Sequence, residues 1–437
     1  MLSFDHDSLH AGVVDPEMGS MRVLSETALR FPDSLSFSSG APYDGNHDLT
    51  DLSRHVERYI EHLRAKGLPE ERVTRLLFQY GPVNGLIRDE VALMLKQDED
   101  IDVPPEAVMI THGFQEAALV ALRGLITSAD DVLLSVSPAY VGIRGAARML
   151  DVPVHGILEG PDGLDPEAVA EAARRVRSEG RRAVALYLVP DFSNPSGTVV
   201  PLAARRRLLE VAAEEDLVIL EDNPYGLFAA EGAALPTLKS LDTDRRVVYL
   251  GSFAKSTFPG ARLGYLVADQ EVIDSEGNTR TLAESLSPAK AMFTVGSSTL
   301  SQAVVGGILV ENGYDLRSAT RELAAIYQER LRAALDALAE HFPDGGDHGV
   351  TWNTPSGGFF LVLKVPFIAD LAAMERSARD HGVSWAPMSM FHLDDDGGRR
   401  EIRIGFSNLA PDAIREGIAR LAGFIEKTPH DTPEERS

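Results

Sequence analysis

Cysteine is absent from this chain, so thiol nucleophiles, disulfides and Cys-ligated metal centres are excluded together. Basic residues are few beside acidic ones. The 42 Lys and Arg against 66 Asp and Glu give a formal net charge of −24, which repels a polyphosphate backbone and leaves no basic stripe for DNA or RNA. No segment reaches about 18 uncharged apolar residues, so no membrane-spanning helix is expected. The opening MLSFDHDSLHAGVVDPEMGS lacks a cationic start followed by an apolar run, and a cytoplasmic location is the expectation. There is no Walker-type phosphate loop, no GxGxxG fingerprint and no HExxH pair among the 12 histidines. The acidic HLDDDGG at 392–398 lacks the spacing of a calcium loop and reads as a solvated turn, so no metal is expected. Internal repeats, low-complexity linkers and heptad runs are also missing.

What remains has the balance of an ordinary folded protein, with 44% hydrophobic and 25% charged residues over 437 positions, enough for two lobes. From about 106 to 267, short apolar runs alternate with helical patterns, which favours an α/β lobe with a mostly parallel sheet. Strand candidates are 107–110, 132–135, 183–188, 217–220, 247–250 and 262–268, with Pro201 opening a helix between two of them. After 315 the pattern changes. Leu323, Ile326, Tyr327, Leu331, Ala334, Leu335, Leu338 and Phe342 predict a long amphipathic helix. GGFFLVLKVP, a helical stretch near 368–380 and EIRIGFS then predict a smaller α+β lobe. The expected division is 1–65 as an arm and part of the small lobe, 66–315 as the large lobe and 316–437 as the small lobe. The ends, roughly 1–14 and 428–437, are polar and expected to be loosely held.

Five segments carry the chemistry. In GSFAKSTFPGARLGY at 251–265, Lys255 follows an apolar strand, where ligands of open parallel sheets bind and where a lysine can form an imine with an aldehyde. An isolated lysine in a polar loop is usually solvated surface, but Ser252 and Arg262 flank this one with donors suited to a phosphate. VILEDNPYG at 218–226 ends a strand in Asp222, a plain turn residue if alone, or a carboxylate able to keep a pyridine nitrogen protonated beside such a lysine. YLVPDFSNPSG at 187–197 offers Asn194, either a turn former or an amide donor to a phenolate oxygen, with Tyr225 as a second donor. MITHGFQEAALVAL at 109–122 is a strand, a glycine turn and a helix start, so the N–H groups of Gly113, Phe114 and Gln115 are placed to hold an anion. SVSPAYVG at 135–142 sets Tyr140 after another strand, either core packing or a face for a flat ring.

These segments, in this order and spacing, resemble the class I/II aminotransferases of the fold type I pyridoxal-phosphate (PLP) family. The resemblance extends through SFSSGAPYDG at 36–45, LLFQYGPVNGLIRDEVA at 76–92 and EIRIGFSN at 401–408, and is nearest to the branch with aromatic and 2-aminoadipate aminotransferases. It implies a fold type I large domain, with a mostly parallel seven-stranded sheet flanked by helices, and a small α+β domain. It makes Lys255 the Schiff-base lysine, Asp222 the pyridinium partner, and Asn194 and Tyr225 the phenolate donors. Ser252, Arg262 and the Gly113–Gln115 turn would hold the phosphate, with Tyr140 on the ring. Tyr80 would reach the phosphate of the other subunit, which implies a homodimer with shared sites. Arg403, with Gly40 and Asn194, would bind the α-carboxylate of an amino acid or a 2-oxo acid.

The implied activity is transfer of an amino group between an L-amino acid and a 2-oxo acid. Ala254 beside the lysine, GLIRDEVA after QYG, and PMSMF at 387–391 depart from the usual family wording. They keep open an alternative, a PLP-dependent lyase or cyclase performing β- or γ-elimination or replacement. A remoter alternative is an aminotransferase-like ligand sensor. About 35 residues precede the first family-like segment, too few for a winged helix.

Overall fold

The computed structural model describes every residue except 1, 16–18, 46, 161–162, 344–348, 394–395 and 430–437, and describes the backbone alone at 11, 20, 21, 24, 25 and 28. Asp394 and Asp395 of the acidic turn, and most of the C-terminal tail, thus lie outside the described residues.

The Val-, Ile- and Leu-rich runs form strands Val108–Thr111 (β1), Asp131–Ser137 (β2), Val154–Leu158 (β3), Arg182–Leu188 (β4), Val218–Asp222 (β5), Val247–Ser252 (β6) and Gly264–Val267 (β7). They build one seven-stranded sheet in the order β1-β7-β6-β5-β4-β2-β3. Every pairing is parallel except those of β7, which runs against both β1 and β6. Helices on both faces explain why the inner strands read as continuous apolar runs instead of alternating ones. The edge strand β3 was not among the sequence candidates. Its VHGIL carries a histidine and a glycine and is mostly half-exposed or exposed, so it gives neither a solid apolar run nor a clean alternation.

The second lobe holds a four-stranded antiparallel sheet of Thr351–Trp352 (β8), Phe360–Lys364 (β9), Ala386–Pro387 (β10) and Glu401–Gly405 (β11), in the order β8-β9-β11-β10. Its core gathers Leu361, Leu363, Trp385, Ile402 and Ile404 with residues of the helices Arg321–His341, Leu371–His381 and Pro411–Lys427. The long helix predicted after 315 spans both cores. Tyr327 packs with the large lobe, while Leu331 and Leu338 pack with the small one.

The N-terminal segment contributes to both cores. Leu35–Ser36 pairs with Val383–Ser384, and Phe37 enters the small core. Helix Leu49–Ala65 (α1) instead packs on Thr299–Glu311, and its Tyr59 and Leu63 share a core with Ile87, Val108 and Val267 of the large lobe. Gly307 permits this close crossing, since a Cβ there would overlap the His55 carbonyl oxygen. Amphipathic periodicity reveals that a helix has an apolar face, but not which lobe covers it. Residues 6–8 and 11–14 form short helical turns. Among the described residues, no helix is long and apolar enough to cross a membrane.

Candidate active site

Three strands of the large sheet end where chemistry was expected. Gly113 follows β1, Asp222 is the last residue of β5, and Ser252 is the last of β6. Tyr140 and Asn194 lie a few residues beyond β2 and β4. Because β7 is antiparallel, its amino end reaches the same edge, which brings Arg262 there as well. The carboxyl edge of an open sheet is where ligands bind in such architectures. From the other lobe come Arg403 on β11 and the loop carrying Gly40. All the candidate residues except Tyr80 line one cavity of about 350 Å³.

Lys255 sits on the short helix Phe253–Ser256, whose cap is Ser252, its Oγ accepting from the Ala254 N–H at 3.2 Å. The Lys255 Nζ donates to the Gly40 carbonyl at 2.6 Å and stands 5.5 Å from the Phe359 ring centre. Enclosure in the cavity lowers its pKa to about 8, helped by the positive charges of Arg403 and Arg262 and opposed by Asp222. A neutral amine, the nucleophilic form, is therefore accessible near neutral pH.

Asp222 is buried, and its Oδ2 accepts from the Tyr187 hydroxyl at 2.7 Å. Burial raises its pKa to about 7, against the Tyr187 hydrogen bond and the charge of Lys255. A cationic N–H set against this carboxylate would hold it ionised. Tyr225 is buried, and burial followed by Asp222 pushes its phenol well above the usual range, so it is a proton donor at any ordinary pH. Burial likewise raises Tyr140 to about 12. Its hydroxyl bonds the Gln115 side chain, and its ring meets Phe114 edge-on at 5.5 Å.

Gly113 opens helix Gly113–Leu125 (α2) with φ +68, and a Cβ there would stand 3.0 Å from Arg262 Nη2. A side chain would thus fill the space between the helix start and the guanidinium, where an anion would meet both. His112, the cap residue, supplies no side-chain acceptor to the first turn. Gly264 lets the two strand ends converge, since a Cβ there would sit 2.7 Å from the Gly251 carbonyl oxygen.

Arg403 is held on four sides. Its Nη1 donates to Asn194 Oδ1 at 2.7 Å and its Nη2 to the Ser38 carbonyl at 2.6 Å. Its guanidinium lies 4.3 Å and 4.6 Å from the ring centres of Phe360 and Phe391. Burial lowers its pKa to about 10, which still leaves it charged at neutral pH. Its buried Nε has no protein partner, as expected of a fork prepared for a carboxylate. Sequence reasoning did not single out Tyr187, Phe360 or Phe391. The first two lie in apolar strands where aromatics ordinarily mean core, and nothing local marks Phe391.

Tyr80 is the exception. It is 90% exposed and lies outside the cavity, beside the exposed Phe78 and Val295 in a shallow groove.

The donor set fits pyridoxal phosphate. The site offers a helix start with a glycine cradle and an arginine for a dianion, and a buried carboxylate for a ring nitrogen. It adds two neutral donors for a phenolate, a primary amine for an aldehyde, and an orphaned guanidinium N–H for a substrate acid.

Comparison with known proteins agrees. The family model described as aminotransferase class I and II matches residues 32–421. The chain is similar to an (S)-3,5-dihydroxyphenylglycine transaminase of Amycolatopsis orientalis, 43% identical over 96% of this chain and 94% of that protein. It is similar to a 2-aminoadipate transaminase of Thermus thermophilus, 31% identical over 90% of this chain and 91% of that protein. Among solved structures, an α-aminoadipate aminotransferase of Thermus thermophilus, complexed with a phosphopyridoxyl-leucine, superposes with a TM-score of 0.78 at 28% identity. That match covers 97% of this chain and 98% of that one. Each of these three is named for amino-group transfer, which disfavours the elimination and cyclisation alternative. The chain belongs to the class I and II aminotransferases, PLP-dependent enzymes that move an amino group between an amino acid and a 2-oxo acid.

Proposed function

We propose that Lys255 is the residue that bonds the cofactor aldehyde and then works as the acid–base in transamination of a neutral, aryl-bearing L-amino acid. The carrying observation is the convergence of Lys255, Asp222, Arg262 and Arg403 on one cavity that holds no other described cation. When bound, the cofactor supplies an electron-withdrawing ring conjugated to the substrate Cα.

The chain's own residues divide the remaining work. The N–H groups of Gly113, Phe114 and Gln115, with Ser252 and Arg262, hold the phosphate. Asp222, steadied by Tyr187, holds a proton at the ring nitrogen. Asn194 and Tyr225 donate to the phenolate oxygen, and Tyr140 covers the ring face. Arg403 binds the α-carboxylate, with Asn194 and Gly40 beside it. Lys255 Nζ, its pKa lowered to about 8, has a neutral fraction near neutral pH that would take the proton from the substrate Cα and, as the ammonium, would hold it for return. Burial of Asp222, Tyr225 and Arg403 strengthens the charge contacts these three would make.

The side-chain preference follows from charge. Arg262, Lys255 and Arg403 each have a partner in this reading, so no lining cation is left for a second carboxylate. The dihydroxyphenylglycine relative supports an aryl side chain. A homodimer belongs to the same reading, because Phe78, Tyr80, Met292 and Leu300 are 80%, 90%, 85% and 59% exposed, an unusual amount of bare apolar surface. Tyr80 would there enter the partner's phosphate site. So does the division of labour between lobes, with 66–315 carrying the cofactor and 316–437, together with part of 1–65, carrying the carboxylate site.

The test is direct. Purified protein loaded with PLP should show a visible imine band that Lys255→Ala abolishes, and aryl amino acids should yield stoichiometric 2-oxo acids. Dicarboxylic amino acids should react with kcat/KM lower by about 100-fold, the effect of desolvating an unpaired carboxylate. An unchanged band in Lys255→Ala would sink the assignment. Equal rates with 2-aminoadipate would sink the aryl preference.

A further inference from the structure

Behind the helix start that receives the phosphate lies an ion pair that does not line the cavity. Glu116 is 4% exposed and Lys290 is fully buried. Glu116 Oε2 accepts from the backbone N–H of His112 at 2.6 Å and from Lys290 Nζ at 3.0 Å, and its Oε1 accepts from the Thr294 hydroxyl at 2.5 Å. Lys290 also donates to Ser297 Oγ at 3.2 Å, and Ser297 donates to the Ile110 carbonyl at 3.1 Å. Residues 290–297 therefore grip the strand, the cap and the first turn of α2 at once, and the carboxylate, one turn into the helix, accepts from the cap N–H.

A carboxylate one turn into a helix is ordinarily favourable, because it faces the positive end of the dipole. Here the same helix end must also receive a dianion. Two like charges at one helix terminus, one of them on a buried side chain, repel each other. Stability alone does not call for such a pair, since well-packed apolar residues replace buried ion pairs at little or no cost.

We propose that Glu116 and Lys290 are a positioning pair for the cofactor phosphate. Glu116 fixes the cap of α2, and Lys290 cancels the carboxylate's charge so that the phosphate is not repelled. The inference rests on the phosphate lying at Gly113–Gln115 and Arg262.

The experiment titrates the full-length protein, stripped of cofactor, with PLP and separately with pyridoxal, which lacks the phosphate. Lys290→Met leaves a bare carboxylate and should raise the Kd for PLP about ten-fold or more, while the Kd for pyridoxal stays within about two-fold. Glu116→Gln keeps an acceptor for the His112 N–H and should bind PLP no more weakly than the parent. The double variant Glu116→Gln with Lys290→Met should recover most of the loss, a coupling that independent packing defects do not show. Should Lys290→Met fail to fold, the comparison of Glu116→Gln and the double variant with the parent still decides. A loss of ten-fold or more in both would overturn the proposal, as would equal losses for PLP and pyridoxal in Lys290→Met. Arg262→Gln separates the two readings. If it weakens PLP but not pyridoxal while the Lys290 variant does not, the pair proposal alone fails. If it spares both ligands, the phosphate assignment fails, and the pair proposal with it.

Discussion

Two arginines face the same cavity and are held in opposite ways. Arg262 is exposed, sits in left-handed backbone at φ +50, and borders a helix start made of backbone N–H groups. Arg403 is 3% exposed, lies between two aromatic rings, and has both terminal nitrogens already engaged. The difference suits the anions assigned to them. A resident dianion brings enough charge to organise a solvated arginine and shares the binding with backbone amides. An exchanging carboxylate arrives and leaves every turnover, so its arginine is oriented in advance and no reordering is needed each time.

Variants can break this contrast. The largest effect is expected at Arg403, where Arg403→Lys removes the planar fork and leaves Asn194 Oδ1 and the Ser38 carbonyl short of donors. The kcat/KM for amino acids should fall about 1000-fold, the loss of two charged hydrogen bonds in a dry site, with the Kd for PLP unchanged. Arg262→Gln should give the reverse pattern, a weakening of PLP binding by about ten- to 100-fold, with KM for the amino acid in the loaded enzyme near that of the parent. Cofactor titration and steady-state kinetics read both. If the two variants gave the same pattern, the division of labour would be wrong.

A smaller effect isolates the rings. Phe391→Ala removes one face of the Arg403 sandwich and should raise KM about three- to ten-fold, through about 1 kcal/mol of cation–π and packing energy, without touching the cofactor. The smallest is a shift in pH. Because Lys255 has its pKa lowered to about 8, its neutral fraction, and with it the rate of cofactor attachment, should rise with pH through about 8. Arg403 is one cause of the lowering, so Arg403→Gln should move that midpoint upward. Stopped-flow absorbance against pH measures it, and a downward move would contradict the electrostatic account.

The large-lobe residues of this site were legible because each lies within a few positions of a strand end whose apolar run announces it. Lys255, Asp222, Asn194 and Gly113 are all of this kind, and the family resemblance assigned roles that spacing by itself left open. The supporting contacts were not legible. Tyr187 and Asp222 are 35 positions apart, Asn194 and Arg403 209, and Glu116 and Lys290 174. No local pattern marks such pairs, because what joins them is the sheet order and the docking of two lobes. The same holds for α1, whose packing partner Thr299–Glu311 lies some 240 residues downstream.

The sequence by itself determined that this is an α/β chain with a glycine turn, a carboxylate and a lysine at or just beyond the ends of β1, β5 and β6, since periodicity and turn chemistry are local physics. Tertiary structure alone decided the rest. It set the antiparallel β7 that delivers Arg262, the two rings that hold Arg403 and the buried pair behind α2. Burial and charge pairing depend on what lies across space, and neighbours along the chain do not specify them.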